Sequence, residues 1–380
     1  MKKKKVIYKD IVIIGAGASG LMYGALNPKK EFVILESNKN IGLKIKISGG
    51  GKCNITNKNL SADRYLGKSD FIKDVINSVS YSDLLNFFEN IEFIKKKNDQ
   101  FFCKNSARDI LNFFENKIEK SKIYLNNKVK DVEYLNEKFI IYTNNNVFEA
   151  NKLFIASGGL SFPDLGASDI AFKIANKFGH KVRTLKPALV GFTVQKDEFW
   201  MKKLSGLSVY VKLKVANKEF IDNLLFAHKG ITGPVVLNSS LYWEKGLIEI
   251  DFLPDRSLTL KDKNKLISSN LPLPKRFVKE FLNSIDIDDK PVYKLKKDEF
   301  EKLKLLKSYR FAPAGNFGYR KAEVTKGGIL VDDVSSKNME SKLQNRLYFL
   351  GECLDVTGEL GGFNLHFAFS SAYEATFYYA

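Results

Sequence analysis

The sequence predicts an α/β fold in which a Rossmann-like core is interrupted by a β-rich and helical insertion. Three observations carry this. A short apolar run near the start leads into a glycine-rich turn, the pattern changes to short alternating strands near Pro187, and the α/β pattern resumes after Ala322. Ile11-Val12-Ile13-Ile14 is the continuous apolar run that a strand buried on both faces requires. Gly15 to Gly20 then reads as a tight turn, Leu21 to Leu26 as a helix stopped at Asn27-Pro28, and Phe32 to Leu35 as the next strand, ending in Glu36. That is one β-α-β unit, with an acid about twenty positions beyond its first glycine.

The pass continues with helical spacing from Phe71 to Phe88, a hairpin over Glu92 to Phe102 and a helix over Ala107 to Ile118. Alternating segments follow at Ile123 to Tyr134 and Phe139 to Phe148, then the strand Leu153 to Ala156. Asp164 to Phe178 reads as a helix with Gly179 at C′. Short strands such as Val209 to Val215 run on to Phe252, Arg256 to Arg310 is lysine-rich and mostly helical, and Leu347 to Leu350 is a last short buried strand. The domain reading is residues 1–186, an insertion over 187–320, and a return over 321–380.

A chain of 380 residues supports one large domain with an insertion, or two domains. The three cysteines, Cys53, Cys103 and Cys353, match no metal-ligand spacing, so no metal site is expected and a reducing cytoplasm is the simplest location. The basic start, Met1 to Lys5, does not read as a secretory leader, because Lys9 and Asp10 interrupt the apolar run that follows. No apolar stretch approaches the ~20 residues that span a bilayer. The net charge is +18, from 61 Lys and Arg against 43 Asp and Glu, which favours a polyanionic partner unless the lysines only solvate the surface.

Gly15, Gly17 and Gly20 follow a strand and open a helix, which is the context a dinucleotide fingerprint requires. The first permits the turn, the second lets backbone N–H groups reach a pyrophosphate, and the third lets helix and strand pack closely. Glu36 then stands where an acid accepts ribose hydroxyls. Ala156-Ser157-Gly158-Gly159 after a strand looks like a second chain crossing near the dinucleotide. Asp355 and the glycines before Phe363 look like a C-terminal return that brings a helix N-terminus to a flavin, although a plain turn would use the same residues. The run Ser48-Gly49-Gly50-Gly51-Lys52-Cys53-Asn54 asks for positive φ or a close approach to backbone.

With these residues stated, the resemblance becomes specific. SGGGKCNITN, LLFAHKGITGP (Leu224 to Pro234), KAEVTKGG (Lys321 to Gly328) and the segment Leu347 to Ala375 resemble the BaiN/RdsA-type flavoproteins, also known as aminoacetone-oxidase-like FAD enzymes, across nearly the whole chain. The resemblance implies a FAD-binding domain of the two-dinucleotide-binding-domain flavoprotein type, with an inserted β-barrel-like and helical part. It implies pyrophosphate contacts at Gly15, Gly17, Ala18, Ser19 and Gly20, and an adenosine ribose contact at Glu36. It sets Lys44, Ser48, Gly50, Gly51, Cys53 and Asn54 along the flavin side, Val129 at adenine, and Asp355, Gly362, Asn364 and Leu365 at the C-terminal closure. Ala156, Ser157 and Gly158 complete the cofactor set. The chain departs from the family where Phe162 replaces a common tyrosine, His366 replaces a usual glutamine, and Phe102-Cys103-Lys104-Asn105-Ser106 lacks a usual proline.

No second glycine fingerprint is evident, so NAD(P)H is expected to reduce the flavin by transient docking. Candidates for proton transfer are Cys53, which alternatively packs under the cofactor, and His228, which precedes the Gly230 to Pro234 run. Two basic clusters, Lys173 to Lys186 and Lys290 to Arg310, are candidates for contact with a phosphate backbone. The resemblance implies a reductase that makes dihydrouridine in ribosomal RNA. A small-molecule oxidoreductase acting on an amine or an enone, and a flavin-containing RNA-binding factor, are the alternatives. The oligomeric state stays open, with a monomer as the simpler expectation.

Overall fold

The computed structural model of the protein describes residues 5–377, so most of the basic start that bears on the leader question lies outside the described residues. The chain divides into two compact units: the chain up to Lys186 together with the chain from Val324, and Pro187–Glu323.

The first unit is built on strand β1 (Val6–Ile14), helix α1 (Ala18–Leu26), and strands β2 (Phe32–Leu35), β3 (Ile123–Tyr124), β4 (Val129–Leu135), β5 (Lys138–Thr143), β6 (Val147–Ile155) and β7 (Leu347–Phe349), closed by helix α2 (Phe363–Phe377). The sheet order is β3-β2-β1-β6-β5-β4, with β7 alongside β6. β1 pairs in parallel with β2 and β6, and β6 in parallel with β7. The first half of β6 pairs antiparallel with β5 and its end with β7, so one strand serves both a hairpin meander and the parallel core. Ile11 to Ile14 and all of β2 are buried, as a parallel strand covered on both faces requires. Tyr23 of α1 lies 4.4 Å, ring to ring, from Phe154, which stacks on Tyr348 at 4.2 Å, so three elements distant in sequence share one aromatic pile in the core.

Several elements differ from the sequence reading. The helical stretch after Phe71 is two helices, Ser69–Asn77 and Tyr81–Phe87. The break is set by Ser80, whose hydroxyl accepts the Asp83 N–H at 3.1 Å while the Asp83 carboxylate accepts the Ser80 N–H at 3.3 Å, a capping box. The helix expected from Asp164 begins at Ile170, behind a 3₁₀ turn over Pro163–Leu165 that ends at Gly166 with φ +89°. The hairpin pairs Phe93–Lys95 with Gln100–Cys103 and gains Asn54–Asn57 as a third strand. Val324–Ile329, wholly buried, is a strand that the sequence reading did not resolve.

The second unit carries a seven-stranded antiparallel sheet in the order 309–311, 248–251, 208–215, 218–227, 230–232, 192–193, 315–316. The part expected to be barrel-like is this sheet, with no pairing among the described strands that joins its two ends. Helices Pro234–Tyr242, Lys275–Ser284 and Lys297–Leu303 accompany it, and Phe226, Phe252, Phe277 and Phe281 form part of its core.

Candidate functional site

In the first unit the chain leaves β1, β2, β6 and β7 at one end of the parallel sheet, through Gly15, Glu36, Ala156 and Leu350 respectively. Ligands of open parallel sheets bind beyond these carboxyl ends. Gly15 has φ +109°, and a Cβ there would stand 2.5 Å from the Ala156 carbonyl oxygen, because the ends of β1 and β6 cross tightly. A Cβ on Gly20 would collide with the Gly15 carbonyl. Gly17 is different: an added Cβ would meet only the Ala156 oxygen, at 4.0 Å. Protein packing therefore requires Gly15 and Gly20, while the space beside Gly17 is open. Ala18 and Ser19 form the first turn of α1.

Glu36 is buried and its carboxylate ties the turn together: Oε2 accepts the Ala16 N–H at 2.9 Å, and Oε1 accepts the Asn38 backbone and side-chain N–H groups at 2.8 and 2.9 Å. The Glu36 carbonyl accepts from Asn127, which brings the segment leading to Val129, the first residue of β4, beside it.

The glycine triplet receives a conformational explanation. Residues 43–47 are helical, Ser48 leaves the helix at ψ 146°, and Gly49, Gly50 and Gly51 follow with φ of +56°, +67° and +83°. A left-handed residue other than glycine costs about 1–2 kcal/mol, and here three occur in succession. A Cβ on Gly50 would meet nothing within 4 Å, and one on Gly51 only the Lys46 oxygen at 3.9 Å, so this turn also presents open backbone. The Ser48 hydroxyl donates to the Ile45 carbonyl and the Ser48 carbonyl accepts the Cys53 N–H. Cys53 has φ +48°, is fully buried, and shares a hydrogen bond with the buried Cys103, which pushes the Cys103 thiol up. Neither thiol reaches solvent.

The C-terminal segment meets this turn from the other side. A Cβ on Gly362 would lie 2.6 Å from the Thr56 carbonyl and 2.8 Å from the Asn54 side-chain oxygen. Asn57 donates to the Gly361 carbonyl at 3.1 Å, and the Tyr65 hydroxyl to the Phe363 carbonyl at 3.0 Å. Asn364 is occupied by the protein itself, accepting the Gly358 N–H and donating to the Gly358 carbonyl, both at 2.8 Å, and Leu365 packs partly buried against the core. Asp355 accepts from Arg183 Nε at 2.6 Å; burial pushes its carboxyl up, and Arg183 holds it down in part. Lys44 pairs with Glu352 at 2.5 Å.

Glu352, Thr325 and Arg183 were not among the expected site residues. Glu352 accepts the Thr325 N–H at 3.0 Å, and the Thr325 hydroxyl accepts the Leu160 and Ser161 N–H groups at 2.8 and 3.1 Å, which fastens the Ser157-Gly158-Gly159 crossing. The KAEVTKGG motif was the available signal for Thr325. Ser157 Oγ, in that crossing, is buried with no protein hydrogen-bond partner. An orphaned hydroxyl beside Gly15, the open side of Gly17 and the open glycine turn together fit a bound dinucleotide.

In the second unit His228 is exposed in the turn between Lys218–Ala227 and Gly230–Thr232, and the helix after Gly233 begins at Pro234. The basic clusters are more compensated than their sequence indicates. Lys173 pairs with Asp169, Lys177 with Asp131 and Arg183 with Asp355, while His180 is buried against Ser341. Lys290, Lys304, Lys307 and Arg310 pair with Glu299, Glu301, Asp251 and Glu249. Asp131, Asp355, Asp251 and Glu249 come from other segments, whereas Asp169 adjoins its run and Glu299 and Glu301 lie within theirs. Among the described residues no cluster of His, Cys, Asp and Glu suits a metal ion, and no helix is long and apolar enough to cross a membrane.

Comparison with known proteins places the fold in a family. The ribosomal RNA dihydrouridine synthase of Haemophilus influenzae is 35% identical over 390 residues, covering 96% of this chain and 97% of that protein. The 3-dehydro-bile acid delta(4,6)-reductase of Clostridium scindens is 28% identical over 402 residues, covering 96% and 97%. Among solved structures, the 3-ketosteroid-delta4-(5alpha)-dehydrogenase of Rhodococcus jostii RHA1 shares the fold at a TM-score of 0.56 with 10% identity, over 99% of this chain and 97% of that one. The sequence pattern of the HI0933-like protein Rossmann domain matches residues 9–378, so the chain belongs to that family of flavin oxidoreductases and has its Rossmann-type FAD-binding domain.

Proposed function

We propose that this protein is a FAD-dependent reductase that adds hydrogen across the C5=C6 bond of uracil in ribosomal RNA. The observation that carries the reading is the character of the two relatives. A dihydrouridine synthase and a bile acid delta(4,6)-reductase have unrelated substrates, yet both names describe hydrogenation of a carbon–carbon double bond, and both proteins match this chain nearly end to end. The higher identity to the RNA enzyme and the net charge of +18 favour the RNA substrate.

In this reading the turn from Gly15 to Gly20 holds the pyrophosphate of FAD, Glu36 holds the adenosine ribose, and Val129 contributes backbone at the adenine. The Ser157 hydroxyl takes a hydrogen bond from or to the cofactor. Lys44, the Ser48 to Asn54 turn and the segment from Asp355 to Leu365 enclose the flavin end. Bound FAD, once reduced by NAD(P)H, supplies hydride for a double bond conjugated to a carbonyl. The target base must be unpaired or turned out of its helix to reach such a site. His228, exposed in its turn, is the candidate proton donor. A ribosomal RNA substrate makes the cytoplasm its place of work.

The test is nucleoside mass spectrometry of ribosomal RNA from a deletion strain, in which dihydrouridine is expected to disappear and to return with the intact gene. Unchanged dihydrouridine, together with turnover of a conjugated steroid enone by the purified protein, would transfer the reading to the small-molecule class.

A further inference from the structure

We infer that a basic face of the second unit, formed by the 3₁₀ segment Lys196–Leu204 and the helix Lys275–Ser284, is where the phosphate backbone of the RNA docks. This rests on the RNA reading above and locates its contact surface. The helix buries Phe277, Val278, Phe281 and Leu282, which turns Lys275, Arg276 and Lys279 outward. The 3₁₀ segment buries Trp200, Met201 and Leu204, leaving Lys196, Phe199 and Lys203 exposed. The outer faces are contiguous. The Trp200 ring packs 6.0 and 5.9 Å from those of Phe277 and Phe281, Arg276 donates to the Lys203 carbonyl, and Lys203 Nζ lies 3.5 Å from Glu280.

These two elements carry six cations against three acids, a net charge of +3, with Asp197 exposed beside Lys196. Glu198 turns inward, accepting from the Tyr309 hydroxyl at 2.6 Å and Trp200 Nε1 at 3.1 Å, and Glu280 is engaged with Lys203. Lys196, Lys275 and Lys279 have no ion-pair partner among the described residues, unlike the paired cations of the Lys290 to Arg310 run. Phe199 is 43% exposed, with the Lys202 ammonium 3.2 Å from its ring centre. Uncompensated cations around an exposed aromatic ring suit a polyanion that also carries stacking bases, which favours RNA over an acidic protein surface.

The experiment compares the full-length protein with two triple variants, Lys196→Gln/Lys275→Gln/Lys279→Gln and, as a control of equal charge, Lys261→Gln/Lys294→Gln/Lys297→Gln. Binding to a ribosomal RNA transcript is measured across a salt series, with flavin content and Tm recorded for each protein. The first variant is expected to bind about tenfold more weakly at physiological salt, with the slope of log affinity against log salt shallower by about two, while the control keeps the wild-type slope. Wild-type affinity and slope in the first variant, with the wild type binding RNA, would overturn this surface and leave the RNA reading standing. Failure of the wild type to bind RNA would overturn both.

Discussion

Gly17 and Gly20 belong to one fingerprint but answer to different constraints. Gly20 is required by protein packing, because its Cβ would strike the Gly15 carbonyl, whereas Gly17 faces open space at a φ of −89° that any residue adopts. Gly17→Ala is therefore expected to change stability by about 1 kcal/mol or less, the scale of an N-cap substitution, and yet to yield protein purified with little flavin. Gly20→Ala is expected to lower Tm markedly, since overpacking costs about 1–3 kcal/mol. Absorbance near 450 nm and a thermal melt on each variant check both outcomes. The fingerprint was legible because strand, turn, helix and acid are close in sequence. The roles of Glu352 and Thr325 were not, because they depend on a crossing between segments more than 150 residues apart. Cys53 shows the same limit: its side chain hydrogen-bonds Cys103, a partner brought beside it by the pairing of Asn54–Asn57 with Gln100–Cys103 and by the Cys103 N–H bond to the Lys52 carbonyl.

At the scale of an element, α2 holds two groups whose titrations oppose one another. His366 is fully buried with Nδ1 2.8 Å from the Thr56 hydroxyl, and burial pulls its pKa down to about 4, the nearby Ile76 and Val79 backbones offsetting this only in part. A histidine depressed from 6.5 contributes stability that is present above pH 6.5 and lost as pH falls through 4, up to about 3 kcal/mol for such a shift. Glu374 is pushed up to about 7, first by burial and then by Asp74, with Ser78 offsetting, so its contribution is present below pH 4.5 and lost as pH rises through 7. Over pH 4.5–6.5 the two partly cancel. His366→Gln, which restores the residue that the resemblance leads one to expect, should make Tm less sensitive to acid, and Glu374→Gln should raise Tm at pH 8 with little effect at pH 4.5. Thermal melts across that range decide it; a wild-type acid limb unchanged in His366→Gln would count against the first assignment. Helices were legible where apolar spacing ran unbroken. They were misplaced where a polar cap intervened, as at Ser80, or where a glycine at positive φ cut the run, as at Gly166. Val324–Ile329 escaped notice because two glycines and a lysine interrupt its buried run.

The whole molecule combines a FAD-binding unit with a second unit on which four of the eight cations in the sequence-identified basic run are already ion-paired. Its charge is thus better described by where compensation fails than by the total of +18. The first unit is expected to depend on its cofactor. Stripping FAD and adding it back at a hundredfold excess over Kd should raise stability by about 2.7 kcal/mol, seen as a higher Tm that tracks FAD concentration. A Tm indifferent to FAD would mean that the folded protein does not bind it. The ion pair between Lys44 and Glu352 joins residues 308 positions apart, and Gly362 seats against Thr56 across a similar span. During synthesis, then, the fingerprint at Gly15 emerges from the ribosome long before the segment proposed to enclose its ligand. A nascent chain stopped short of residue 351 carries an intact nucleotide motif without that segment, so on the proposed site flavin capture is expected late in biosynthesis, and a truncating mutation there should leave a colourless protein.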